Sequence, residues 1–187
     1  FRAAWDWAVT QREFALIEQT IHLLKWFYDM RGWFQEGRDA LGRAITSLEA
    51  SQAQTPPDRT NQVALGHLLA AHGWLAYRLA HYAPAQAMLE RSLAILRPLQ
   101  EPRVLIETII FLGMLMEVTG DYARALALYS EGVALANGIG DRWYIALCHT
   151  CFHGLVANTS ETVNPEEPHA ALQAAVDLVD AQMSPWK

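Results

Sequence analysis

Gly120-Asp121-Tyr122-Ala123-Arg124-Ala125 stands between two apolar helical stretches and reads as the turn of a helical hairpin. Glycine supplies the left-handed residue that ends the first helix, and Asp121 is placed to cap the second. Tyr122 packs into the pair and Ala125 lets the helices approach closely. Arg31-Gly32-Trp33-Phe34 repeats the pattern, and Ala80-His81-Tyr82-Ala83-Pro84-Ala85 repeats it with alanine in place of the glycine. Stacked helical hairpins bury a continuous core between neighbours and present a broad surface, so their work is done by binding along that surface rather than at a catalytic centre.

Working outward, the spacing predicts helices over Ala3–Thr10, Phe14–Met30 and Phe34–Ala50, then a polar loop over Ser51–Thr60. Further helices are expected over Gln62–Leu79, Pro84–Leu96, Pro102–Val118 and Tyr122–Ala136. Asn137-Gly138-Ile139-Gly140 reads as a stop, after which Asp141 caps a helix to Ala157. A polar loop over Asn158–Pro168 and a helix over Ala170–Ala181 close the chain. No stretch alternates as a strand would.

The bulk numbers agree with an ordered all-α chain. Its 187 residues suffice for a sizeable core, and 52% hydrophobic with 18% charged residues is a globular composition. A net charge of −6 without a Lys/Arg cluster argues against direct nucleic-acid binding. No run approaches the ~18 apolar residues of a membrane span. Cys148 and Cys151, three apart on one predicted helix, are poorly placed to bridge each other, which fits a reducing cytoplasm. Phe1-Arg2-Ala3-Ala4-Trp5-Asp6-Trp7 has neither an initiator Met nor a signal-peptide core, so the chain is expected to be one helical-repeat domain cut from a longer protein.

Candidate chemistry is sparse. His149 and His153 share a helix face as zinc pairs do, but Cys148 and Cys151 fall on another face at about 100° per residue, so one ion cannot take all four. Packing of the cysteines as small hydrophobes is the simpler reading. Glu117 lacks a partner carboxylate placed by spacing, and Gly-x-Ser-x-Gly and P-loop signatures are absent. The expectation is therefore no catalytic residue, no metal and no cofactor.

The hairpins resemble tetratricopeptide repeats. Gly113, Gly120, Tyr122, Ala125 and Tyr129 match that family's small, glycine, aromatic, alanine and large positions in order. Gly73, Tyr82, Ala85 and Leu89 match in the preceding repeat; Gly32, Phe34 and Leu41 match in the first, where Lys25 takes the small position. Gly154 sits in the small position of a fourth. The turn aromatics at Phe34, Tyr82 and Tyr122 are spaced more widely than the ~34 residues of the family's repeat. The resemblance implies a right-handed superhelix of about four antiparallel helix pairs. It also implies a concave binding face made by the first helix of each pair. On that register the face carries Gln19, His22, Trp26, Asp29 and Met30, then His67, Ala70, Trp74, Tyr77 and Arg78, then Glu107, Ile110, Met114, Glu117 and Val118. His22, Trp26, Asp29, His67, Trp74, Tyr77, Arg78, Met114 and Glu117 are the candidate ligand residues, with Glu117 either projecting into the groove or pairing with Arg78. Aromatics among a few charges suit a protein or peptide partner or a small-molecule effector. Tryptophan at helical spacing more often packs in a core than lines a ligand site, and a one-residue shift of register would turn these inward.

Ala4-Trp5-Asp6-Trp7-Ala8, followed by Phe27-Tyr28-Asp29-Met30-Arg31-Gly32-Trp33-Phe34-Gln35-Glu36-Gly37-Arg38, carries a narrower resemblance. It looks like the opening of helical-repeat domains in bacterial signal-transducing P-loop ATPases, including maltose-regulator-like and LuxR-type transcription regulators. That resemblance implies a sensor segment beside ATPase and DNA-binding domains of a parent chain. A free-standing adaptor that binds partner peptides is the alternative. Trp5 and Trp7 at one end and Met183 and Trp186 at the other leave the ends apolar, which implies partner domains or self-association.

Overall fold

The computed structural model describes residues 2–54 and 58–159, with side chains to Val156. These form eight α-helices: α1 Arg2–Gln11, α2 Phe14–Arg31, α3 Phe34–Gln52, α4 Arg59–Arg78, α5 Tyr82–Leu96, α6 Pro102–Val118, α7 Tyr122–Ile139 and α8 Arg142–Thr159. A 3-10 turn at Arg97–Leu99 follows α5, and no strand occurs among the described residues. The fold class is all-α. The helix expected over Ala170–Ala181 and the loop before it fall almost wholly outside the described residues.

The same turn recurs. Gly32, Ala80 and Gly120 adopt φ of 69°, 57° and 85°, and each donates its N–H to the carbonyl three residues back. The next N–H reaches five back: Trp33 to Tyr28, His81 to Ala76, and Asp121 to Met116 at 2.9–3.0 Å. This pattern satisfies carbonyls that a helix end leaves orphaned. An aromatic residue opens the next helix in each case, at Phe34, Tyr82 and Tyr122. A fourth example carries no glycine signature: Arg12, with φ of 59°, turns α1 into α2 and is followed by Phe14. Arginine hid it, since neither glycine nor asparagine marks the left-handed position. Asp121 does cap α7, accepting from the Arg124 N–H at 3.2 Å.

Several boundaries differ from expectation: α4 already begins at Arg59 behind the Asp58 cap, inside the expected loop, and α3 and α8 each run two residues further. α7 continues through Asn137 and Gly138 to Ile139, and the stop is Gly140 at φ 64°. A single glycine inside a helix costs only about 1 kcal/mol, so Gly138 could not end it. α5 starts at Tyr82 rather than Pro84, because proline is tolerated anywhere in the first turn, where its missing N–H has no intrahelical partner.

The chain divides into two compact units, Phe1–Val104 and Leu105–Lys187. In the first, Ile17, Ile21, Leu24 and Tyr28 of α2 meet Leu41, Ala44 and Leu48 of α3 and Leu65, Leu68, Leu69 and Leu75 of α4 in one buried cluster. Trp5 pins α1 to it by donating to the Ala40 carbonyl at 3.2 Å. α4 and α5 approach so closely that a Cβ on Gly73 would stand 2.8 Å from Leu89 Cγ, and one on Gly66 would stand 2.6 Å from Leu96. In the second unit, Ile106, Ile110, Ala136 and Cys148 form the centre of a smaller cluster. Gly113 faces the Tyr129 ring, where a Cβ would come within 2.9 Å of Cδ1 and Cζ.

Two substitutions should therefore move stability in opposite directions. Ala80→Gly removes the left-handed penalty on alanine, and after the entropy of glycine is offset it should stabilise by about 0.5–1 kcal/mol. Gly113→Ala forces the Tyr129 ring aside and should destabilise by about 1–3 kcal/mol. Urea unfolding followed by circular dichroism reads both.

Candidate functional site

α2 and α4 lie side by side in the first unit and bring several candidate residues together. Asp29, in the last turn of α2, is the hub. One carboxylate oxygen pairs with the Arg78 guanidinium, and the other accepts from Trp74 Nε1 at 3.1 Å. Arg78 in turn lies over the Phe34 ring at 4.6 Å and the Trp74 ring at 5.6 Å. Tyr77 stacks on Trp74 with centroids 5.3 Å apart, and Tyr82 tilts against Tyr77 at 6.2 Å. The helix ends explain this grouping. The turns after Arg31 and Leu79 place the last turns of both helices at the same end, so residues three or four apart on each face one another.

Trp26 and Met30 continue the surface along α2, at 59% and 67% exposure. Trp26 is therefore not a core residue, which the sequence left undecided. His22 is also exposed, whereas Trp74 and Tyr77 are half-buried. His67 turns the other way: it is 7% exposed between α2 and α4, with Nδ1 3.6 Å from Glu18 Oε1. That separation is within ion-pair range but longer than a hydrogen bond. The imidazole nonetheless holds the Glu18 carboxyl below its ordinary value, against the opposing effect of burial.

Met114 and Glu117 belong to the second unit. Met114 packs, half-buried, against the cluster around Ile106 and Ile110. Glu117 accepts from the Tyr129 hydroxyl at 3.2 Å, and Arg78 has Asp29 as its partner. The Asp29–Arg78 pair was not foreseen. The signal for it was present, because both residues occupy the last turn of the first helix in successive hairpins.

The cysteine and histidine run lies on α8. His149 and His153 stack at 5.7 Å between centroids and line, with Ser130, Val133 and Phe152, a shallow cavity of about 180 Å³. Burial and the neighbouring His153 push the His149 imidazole below its usual value. Cys148 is fully buried, and its thiol is pushed up to about 12 by burial and by Cys151; burial chiefly, with Glu117, lifts Cys151 to about 11. Both are thiols at neutral pH and poor nucleophiles. Among the described residues no group of three or more His, Cys, Asp and Glu side chains is placed to hold a metal, and no helix is long and apolar enough to cross a membrane.

No protein-family model matches the chain, and no curated protein is significantly similar to it in sequence.

Two measurements test this geometry. Asp29→Ala should cost about 1 kcal/mol, a modest sum because Arg78 keeps contact with solvent, and should change tryptophan emission as Trp74 loses its acceptor. The second concerns His72, whose Nδ1 is buried without a hydrogen-bond partner and whose pKa is lowered, first by burial and then by Arg38. A histidine that resists protonation in the fold contributes stability above its ordinary value of 6.5 that is lost as pH falls below it. Stability should decline on acidification through that range, and His72→Leu should flatten the decline.

Proposed function

We propose that this chain is a recognition segment, a tetratricopeptide-like solenoid of about four helix pairs that binds a protein, a peptide or a small-molecule effector. The observation that carries the reading is the aromatic face of the first unit. Trp26 is exposed on α2, and half-buried Trp74, packed against the core cluster, keeps its indole N–H on Asp29 and its ring beneath Arg78 and against Tyr77. Tryptophan and tyrosine give large contact areas with little side-chain entropy to lose, so an aromatic face fixed in this way is suited to binding.

The resemblance of residues 4–8 and 27–38 to bacterial regulatory ATPases supports a sensor segment within such a parent. Effector binding there would shift the parent between inactive and active forms by preferring one of them, in the cytoplasm and with DNA contact left to another domain. The adaptor alternative receives less support. A clamp for peptide carboxylates needs a free cation on the face, and Arg78 is already committed to Asp29.

The reading frame around this segment tests the parent. A P-loop module encoded upstream of Phe1 supports the sensor reading; a start codon immediately before Phe1 with a stop after Lys187 overturns it. In the intact parent, Trp26→Ala should abolish the effector response while leaving helicity unchanged and stability within about 0.5 kcal/mol, as befits an exposed side chain. An unchanged response would remove Trp26 from the site.

A further inference from the structure

The second unit holds a pair of side chains that the aromatic face does not use. His149 and His153 stand one turn apart on α8, with rings nearly parallel at 12° and centroids 5.7 Å apart. Positions four apart differ by only about 40° around a helix, so both imidazoles leave the same face. They line one cavity, whose other walls are Ser130 and Val133 of α7 and Phe152. Among the described residues neither imidazole has a hydrogen bond or an ion pair. Their ring contacts are with each other and, for His153, with the Phe152 ring at 5.3 Å in an edge-on arrangement.

We propose that His149 and His153 chelate one borderline divalent transition ion at this cavity, through one ring nitrogen each, with water completing the shell. A neutral imidazole keeps one nitrogen as an acceptor, and here no protein donor occupies it. Two nitrogens bound at about 2.0–2.1 Å to one ion must come within roughly 3–4 Å of each other. Rotation about χ2, a soft torsion with broad wells, brings them together without moving the α8 backbone. The cavity of about 180 Å³ leaves the rings room to turn and holds the ion with several waters. Ser130 donates its hydroxyl to the Leu126 carbonyl at 2.8 Å, so its oxygen has only acceptor capacity left, which suits a metal-bound water. The donor set selects the ion. Imidazole without carboxylate disfavours Mg²⁺ and Ca²⁺, and favours Cu²⁺, Ni²⁺ and Zn²⁺. Cys148 and Cys151 stay out of the shell because both pack into the cluster around Ile106 and Ile110. With two protein ligands, against the four of structural zinc sites, the ion is exchangeable. Nothing in this site depends on the aromatic face of the first unit.

Isothermal titration of the tag-free chain with Ni²⁺ at neutral pH should show one ion per chain. His149→Ala and His153→Ala should each weaken binding at least about tenfold, because each leaves a single imidazole without the advantage of two tethered ligands. Circular dichroism checks that the variants fold, and His149→Gln replaces His149→Ala if alanine disturbs α8. Stability gives a second readout: an ion that binds the native pair should raise the melting temperature of the wild type and of neither variant. Absence of binding at millimolar Ni²⁺ overturns the proposal. Binding that either single variant retains at full strength overturns it equally, by placing the ion on other histidines of the chain.

Discussion

The fold depends on how closely the two helices of a hairpin can approach, and that distance is set by glycine. At Gly73 the Leu89 side chain occupies the space a Cβ would need, and at Gly113 the Tyr129 ring does so. These contacts bring the backbones near enough for the large residue of the second helix to touch the first helix directly, which is where dispersion and burial are strongest. A hairpin opened by one methyl group would lose that contact along its length. The left-handed turns follow from the same constraint. Only a turn that reverses the chain within two residues puts Tyr82 or Tyr122 immediately beside the helix it has just left, and Ala80 shows that the geometry is kept even where the residue resists it.

Close pairing also determines what is left over for binding. Each helix has a limited apolar circumference, and the hairpin contact consumes one side of it. α4 is buried along most of its length, from Val63 to Ala71 and again at Leu75 and Ala76, which is why His67 and Ala70 are withdrawn from the face. α2 packs against α1, α3 and α4 and still keeps Leu23, Trp26 and Met30 at the surface. The aromatic cluster forms where these two helices end. Trp74 and Tyr77 are half-covered by one another, and Asp29 supplies the acceptor that a half-buried indole N–H requires.

The hairpins were legible because their signals are local. Gly120-Asp121-Tyr122 encodes a left-handed stop, a cap and a packing residue within three positions, and Pro102 to Val118 was bounded correctly by a proline and a turn. The turn at Arg12 was not legible, since arginine has no preference for a left-handed backbone and tertiary packing imposed it. The exposure of α2 was legible in part. The repeat register assigns Gln19, His22, Trp26, Asp29 and Met30 to one face of α2, and four of the five are exposed while Asp29 is half-buried. It failed to anticipate His67, because periodicity locates a residue on a helix but not the neighbouring helix that covers it. The Asp29–Arg78 pair lay beyond sequence for a related reason: its members are 49 positions apart, and only the stacking of successive hairpins brings them together.

Burial and chemistry point the same way in the second unit. Cys148 and Cys151 sit beside two histidines in the sequence, a combination that suggests metal or redox work. The helix separates them: the cysteines turn towards the core cluster, and His149 and His153 line a cavity with Phe152. Burial lifts both thiols further above neutrality, which disfavours the thiolate that nucleophilic attack requires. In the first unit, by contrast, Leu23, Trp26 and Met30 stay at the surface, outside the cluster that packs the core.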